Sequence, residues 1–410
     1  MGKLQGTTFK KKNGGLGRTA PTNDSVSLLV VAMSIAGSTL VYGQAKELIQ
    51  PEDAEVFGIT EAFDANNQTL AYHHISENFR LAPESTLYIL PVEANSTIQS
   101  KINVTISTLK KHRSIKGVGF AGFTNDLSTI PAEVDSIQTL LVDEAAKEGI
   151  DLDYVIIEGK GTDAPILINN FVDLRTKAAP NISVVIAQDK DIAALDSEYS
   201  NYAAVGAALG MINVRNVAEN IGSVDVEKKP IDSRSYETYP LTDSGTGRFV
   251  NVGISTGQSI DELTDVQLKS LNAKGYIFAG QYEAEADFYF SNSPTCVSIA
   301  SDYSYIERNR TWNKAKRLIA KTLLPKVKAK VPKDPQTGFV KSTTVSNWET
   351  LLEKALDSMV TSEEVTGYDL FLDNKQYPDE TTPFKVRCSL VAFGIVHTFE
   401  IELGYTNKIA

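Results

Sequence analysis

The chain has 410 residues, 42% hydrophobic and 22% charged, with a formal net charge of −11. The apolar content excludes a wholly disordered chain, and the length allows two or three domains with real cores. The acidity excludes generic nucleic-acid binding, which takes a basic surface to displace phosphate counterions.

Residues 1–25 are rich in Gly, Lys and Thr and poor in apolar side chains. They predict an arm that cannot bury itself. The apolar run 27–43 follows Lys10, Lys11, Lys12 and Arg18, a faint likeness to a secretion signal. Asn23 and Asp24 interrupt the approach, and the densest part, 28–33, is too short to span a bilayer. It reads as a buried strand. Residues 51–58 predict a short helix, with Pro51 and acids at its positive end. Residues 70–81 fit an amphipathic helix with Leu70, Ile75 and Phe79 on one side. Residues 87–92 and 118–123 read as strands.

An α/β rhythm follows. Val134, Ile137, Leu140, Leu141 and Ala145 recur at helical steps, and Gly149 stops that helix, 130–148. Residues 154–157 (YVII) and 182–187 (ISVVIA) are apolar runs of the kind found in strands covered on both faces. A helix over 165–178, opened by Asp163, and a small-residue helix over 202–211 complete a compact unit spanning about 116–220. Pro230, Pro240, Gly245 and Gly247 then mark a long connection over 225–249. Beyond it come a helix over 264–273 closed by Gly275, a strand over 276–281, and a helical stretch over 304–331 broken near Pro325. The next helix, 346–359, is striped by Trp348, Leu351, Leu352, Ala355, Leu356 and Met359. Two alternating strands close the chain, 384–392 and 396–403, with Gly394 as the turn between them.

Catalytic and metal-binding residue types are scarce. Cys296 and Cys388 are the only cysteines, too few for a disulfide framework or a structural zinc site. His73 and His74 are adjacent on a helix and point apart, so they do not chelate one metal. Gly14, Gly15 and Gly17 precede no helix, so they do not form a phosphate cradle. Glu283, Glu285 and Asp287 alternate and would share one face of a strand. That is the basis of an alternative reading, an α/β hydrolytic enzyme using Glu283 and Glu285 as carboxylates. The plainer reading is a solvent or interface face.

Charge patterning says more. Residues 308–333 hold ten Lys or Arg and no acid, whereas 349–373 hold seven acids and one lysine. Such opposed stretches form either solvated helix faces or complementary surfaces that steer subunits together. A flexible arm at one end and an alternating strand at the other suit β-addition to a neighbour's sheet edge.

Particular wording lies in 264–320: a helix ending Leu271-Asn272-Ala273-Lys274-Gly275, then Asp287-Phe288-Tyr289, then DYSYIERNR from Asp302 to Arg310, then the basic helix. These residues resemble the contractile tail sheath proteins of phages and related contractile injection systems, in particular the divergent branch of phage-like elements in Bacteroidetes-type bacteria. The arm, the first apolar strand, the 51–58 helix and the closing strands over 384–403 follow the sheath order of elements. The family's tryptophan-bearing R-W pattern after the basic helix is absent.

The resemblance implies an α/β protein: an α+β C-terminal assembly domain with exchanged terminal strands plus an outer α/β domain. The chain would divide into an N-terminal linking arm (1–25), an outer α/β domain (26–250), a C-terminal assembly domain (251–395) and a C-terminal linking strand (396–410). It implies a structural subunit without enzymatic activity, stacked in hexameric rings around an inner tube and contracting to drive that tube through a target envelope. Leu4, Thr7 and Phe9 at one end and Phe399, Ile401 and Leu403 at the other would sit in the linking strands. Glu349, Glu353 and Asp357, spaced by four, would face the tube. Arg308, Arg310, Lys314, Arg317 and Lys321 would form a basic intersubunit surface. The implied partners are further copies of the chain, the inner tube protein, and baseplate and terminator proteins. No cofactor, metal, nucleic acid or membrane insertion is implied. The setting would be a virion tail, or the bacterial cytoplasm in which a tailocin or type VI-like apparatus assembles.

Overall fold

The computed structural model describes residues 24–162, 167–224, 238–283, 285–377, 379, 382–401 and 405. Two compact units emerge, Met1–Asn216 with Ile221–Ile306 and Val217–Asn220 with Glu307–Ala410.

The first unit opens with β1 (Val26–Met33), buried along its whole length, which accounts for its continuous apolar sequence. After β2 (Lys46–Leu48) come three helices, α1 (Glu52–Val56), α2 (Glu61–Asn67) and α3 (Ala71–Leu81). Then follow β3 (Thr86–Glu93), α4 (Ile98–Lys111) and β4 (Gly117–Ala121). The expected long helix is continuous: α5 (Ile130–Ile137) passes through a π-helical segment, Gln138–Asp143, into α6 (Glu144–Lys147). β5 (Tyr154–Glu158), β6 (Ala178–Ala179), β7 (Ile182–Val185), β8 (Ala187–Asp189) and α7 (Lys190–Ala193) come next.

α8 (Val205–Val214) buries every residue. Its glycines allow α3 to lie against it. A Cβ at Gly206 would stand 2.2 Å from the His74 carbonyl oxygen, and one at Gly210 2.8 Å from that of Asn78. The unit ends with β9 (Val252–Ile254), α9 (Asp265–Ala273), β10 (Tyr276–Ile277), β11 (Ala279–Gln281), β12 (Phe288–Phe290) and β13 (Cys296–Val297). Thr264 caps α9, accepting from the Gln267 N–H.

The main sheet has seven strands in the order β10-β7-β5-β4-β1-β3-β2. All neighbours run parallel except β2, which pairs antiparallel with β3. The chain starts at β1, steps to β3, then crosses β1 to β4 and continues outward. Strand order therefore reverses beside β1, as in doubly wound folds.

Two expectations fail here. Residues 167–178 form no α-helix, only short 3-10 turns at Ile168–Asn170 and Leu174–Thr176; Asp163 and its neighbours to 166 lie outside the described residues. Tertiary contacts override local propensity at this point. The Asp173 side chain accepts from the Arg175 N–H, and the Arg175 guanidinium donates to the carbonyl oxygens of Ser304 (2.8 Å) and Thr295 (3.2 Å). The second failure concerns the boundary. The sequence pattern puts one near 250, but the units divide at 306/307 because β9, β10 and β13 pair with β8, β7 and β6. A long-range ladder thus ties 252–297 to the first unit.

The second unit contains most of α10 (Ile306–Leu323), which ends in a 3-10 turn at Pro325, and α11 (Ser342–Thr361). β14 (Gly367–Leu372) and β15 (Val386–Val391) form an antiparallel pair, with Tyr368 opposite Leu390, Leu370 opposite Cys388 and Leu372 opposite Val386. These alternate residues pack on two small clusters, one around Ala315, Leu356, Met359 and Val365, the other around Val340, Val345, Leu352 and Leu372. The predicted stripe of α11 is observed, except that Leu351 is 38% exposed.

Candidate assembly surface

The alternation of β14 and β15 gives the hairpin a second face, turned away from the helices. Phe371 and Val391 are about half exposed there, and the Arg387 guanidinium lies 5.8 Å from the Phe371 ring centroid. Among the described residues neither strand has a second partner, so both edges carry unpaired backbone groups. Beyond β15, residues 392–401 form no ladder within the chain. The predicted strand over 396–403 is thus absent from the described part, and Gly394 is no hairpin turn, since β15 pairs with β14 instead. Phe399 (79% exposed) and Ile401 (80%) face solvent. Leu403, like Leu4, Thr7 and Phe9, lies outside the described residues.

On α11, Glu349 is partly exposed while Glu353 and Asp357 are exposed, one turn apart. Asp357 is also tied into the unit, because the Tyr368 hydroxyl donates to its Oδ1 (2.6 Å) and lies 3.2 Å from the Glu353 carbonyl oxygen. Desolvation, followed by this bond to a carboxylate, raises the Tyr368 phenol above its usual range.

The basic helix is less uniform than its sequence. Arg308 and Lys321 are exposed, and Lys314 pairs with Glu364. Arg310 is 1% exposed and cannot contribute to an outer basic surface. It falls on the same buried side of α10 as Ile306 and Asn313, whose spacing sets it inward.

The carboxylates of the alternative enzyme reading are not arranged as that reading requires. Glu283 and Glu285 lie between the end of β11 and the start of β12, and the Glu285 N–H donates to the Tyr282 carbonyl (3.1 Å), so they share no strand face. In the crevice at the carboxyl ends of the main sheet, Glu158 serves the fold. It accepts from the Gly122 N–H (2.6 Å) and the Ala203 N–H (3.1 Å), and burial raises its pKa. Among the described residues no three His, Cys, Asp or Glu side chains converge as metal ligands, and no helix is long and apolar enough to cross a membrane.

Residues 4–294 match the family model of the DUF2586 N-terminal domain, and residues 302–410 that of the DUF2586 C-terminal domain. The chain belongs to the DUF2586 family. No curated protein sequence matches it. Three solved structures resemble this DUF2586 chain over nearly its full length. A chain of the anti-feeding prophage baseplate is 12% identical with a TM-score of 0.60, covering 100% of both chains. A chain of the PVC sheath complex, an extracellular contractile injection system in its contracted state, is 13% identical with a TM-score of 0.59, covering 100% of this chain and 99% of the other. The sheath tail protein of Desulfitobacterium hafniense is 8% identical with a TM-score of 0.50, covering 95% and 100%. At such identities the likeness is one of fold. The DUF2586 chain has the fold of contractile sheath proteins, and those neighbours are structural components.

The sequence pattern missed β14 and hence Tyr368. The signal was present: Tyr368, Leu370 and Leu372 alternate with Asp369 and Phe371 in a run with strand propensity.

Proposed function

We propose that this chain is the sheath subunit of a contractile tail or injection apparatus, stacking in hexameric rings around an inner tube and contracting to drive the tube through a target envelope. The observation that carries the reading is the likeness to sheath-complex chains from end to end of both chains. The second unit adds physical support. Among the described residues it has open strand edges, and Phe399 and Ile401 in the tail are exposed, the two halves of a β-addition contact. In this reading the tail around Phe399, Ile401 and Leu403 joins a neighbouring subunit's sheet, as does the arm around Leu4, Thr7 and Phe9. Glu349, Glu353 and Asp357 face the tube, and Arg308, Lys314, Arg317 and Lys321 lie between subunits. Partners are further copies of the chain, a tube protein, and baseplate and terminator proteins. The assembly works in a virion tail or in the bacterial cytoplasm. Contraction is a switch between two discrete packings rather than a continuous deformation.

Negative-stain electron microscopy of the chain expressed with its tube protein tests this. Sheathed tubes are expected, and a chain lacking residues 1–20 should remain folded yet fail to form them. A folded full-length chain that stays monomeric beside polymerised tubes would overturn the reading.

A further inference from the structure

A crevice of about 310 Å³ opens at the carboxyl ends of β1, β4 and β5, where the main sheet reverses its strand order. Doubly wound sheets hold their ligands at this place. His74 lines the crevice, although it is only 2% exposed. Its Nδ1 accepts from the Gly206 N–H (3.3 Å), so the neutral ring carries its hydrogen on Nε2. Burial keeps the ring neutral, lowering it from 6.5 to about 3. Nε2 retains accessible surface and has no hydrogen-bond partner among the described residues. A donor left unpaired in a nearly buried ring, at the wall of an open crevice, points to a ligand that accepts from it.

The rest of the lining narrows the chemistry. In doubly wound folds a phosphate takes the backbone N–H groups at a helix start. Here the Glu158 carboxylate takes them, accepting from the Gly122 N–H (2.6 Å) and from the Ala203 N–H (3.1 Å) just ahead of α8. An anion is therefore kept out of that position. Lys160 lines the same crevice and has no ion pair among the described residues, while Glu198 stands exposed on its other flank in sequence. The Tyr199 hydroxyl donates to the Asp64 carbonyl oxygen (2.9 Å), and that of Tyr202 accepts from the Asp189 N–H (3.1 Å). With their hydroxyls engaged, both residues offer the crevice aromatic carbon. A cation would meet Lys160, and an anion would meet Glu158 and Glu198. Hydroxyl groups both donate and accept, so a neutral polyhydroxylated ring satisfies the whole lining. The volume is at the small end of ligand pockets, roughly 300–1,000 Å³, which suits one sugar ring better than a nucleotide.

We propose that this crevice binds a hexose in its pyranose form. Ring hydroxyls accept from the Lys160 ammonium and the His74 Nε2–H and donate to the Glu158 and Glu198 carboxylates, with ring C–H groups against Tyr199 and Tyr202. The site lies within the first unit, so its occupancy can be measured whether or not the chain forms tubes.

Saturation-transfer difference NMR of the full-length chain with D-glucose, D-galactose and D-mannose tests it. Cyclohexanol, with one hydroxyl, and inorganic phosphate, an anion, are the comparison arms. At least one hexose should bind in the millimolar range, with cyclohexanol at least roughly tenfold weaker, and phosphate should not displace the hexose. Lys160→Met should weaken the hexose by roughly 10- to 100-fold, as expected for loss of a charge-assisted hydrogen bond. Glu198→Gln, at an exposed position, should weaken it less. Three results would each overturn the proposal: no signal from any of the three hexoses at tens of millimolar with a chain of native circular dichroism, displacement of the hexose by phosphate, or unchanged affinity in Lys160→Met.

Discussion

The two units treat their apolar surface differently. In the first, every residue of β1, β4 and β5 is buried, so the centre of the sheet is sealed by the unit's own helices. In the second, β14 and β15 bury alternate side chains on α10 and α11 and leave Phe371, Val391 and the tail to Ile401 uncovered. Apolar residues of similar size thus have opposite fates, decided by whether the chain itself supplies the covering layer. A unit that closes its own core is stable alone. One that leaves strand edges and aromatic side chains open is completed by something else.

The sharpest way to break this contrast is in the sealed sheet. Phe120 on β4 is fully buried, its ring 5.6 Å from that of Phe123. Phe120→Ala should cost about 3–5 kcal/mol, the transfer and cavity terms together, with the first unit losing its cooperative denaturant transition at lower concentration. A loss below about 1 kcal/mol would mean that the sheet is not the rigid part.

A smaller effect of opposite sign is expected at His73. Replacing an unpartnered buried imidazole by an apolar side chain, His73→Leu, should stabilise the chain by about 1–3 kcal/mol at neutral pH. The pH dependence follows from the direction of the shift. Burial, then the charges of Arg248 and Arg80, lowers His73 from 6.5 to about 3, so the folded state binds fewer protons than the unfolded one between those values. Stability from the neutral imidazole is complete above 6.5 and lost as pH falls towards 3. The advantage of His73→Leu should therefore grow by about 1.4 kcal/mol per pH unit as pH falls from 6.5 to 4.5. Asp64 acts in the other direction, raised by burial from 3.8 to about 7, so its contribution is present below 3.8 and lost as pH rises through 7. Because Asp64 is common to both proteins, their difference isolates the histidine. Urea melts at three pH values would measure it, and a pH-independent difference would place the imidazole in contact with solvent.

These two residues also mark what sequence can reveal. Phe120 sits in a run whose apolar character announces a buried strand, and β1, β5 and β7 are equally plain because parallel strands covered on both faces need no polar alternation. α4 carries no clean apolar stripe in the sequence, since its buried side includes Thr105 and Thr108 beside Ile98, Ile102 and Leu109. The 165–178 helix failed because Arg175 serves carbonyls more than a hundred residues away. The surroundings of His73 were illegible for a similar reason. His73 reads as one of two adjacent helical histidines until Arg248, far along the chain, is brought near it. The tail shows the reverse case: 396–403 alternates like a strand, but alternation only states which face would be buried, and a ladder also needs a partner.

Within the open unit, Asp357→Asn should cost only about 0.5–1 kcal/mol, because the bond from Tyr368 is exposed and water replaces it. Its clearer sign is spectroscopic. Without the carboxylate, the Tyr368 phenol should ionise at lower pH in an ultraviolet titration, while the part of its shift due to desolvation remains. An unchanged tyrosine titration would mean that the hydrogen bond is not formed in solution.

The smallest expected effect on folding is at the tail, where the contrast is most exposed to refutation. Phe399 and Ile401 are 79% and 80% exposed and belong to no ladder, so the double change Phe399→Asp with Ile401→Asp removes almost no intrachain packing. Subunit stability should move by no more than about 0.5 kcal/mol, as for other surface substitutions. If these side chains fill pockets on a neighbouring sheet, the same change buries two unpaired carboxylates in every contact, which costs far more than the lost apolar area. Assembly should then fail outright while the melting curve stays put. Tubes forming normally from this variant would show that the tail's apolar residues are incidental. A large loss of stability would show instead that the tail is covered by its own chain, and the distinction between a closed unit and an open one would collapse.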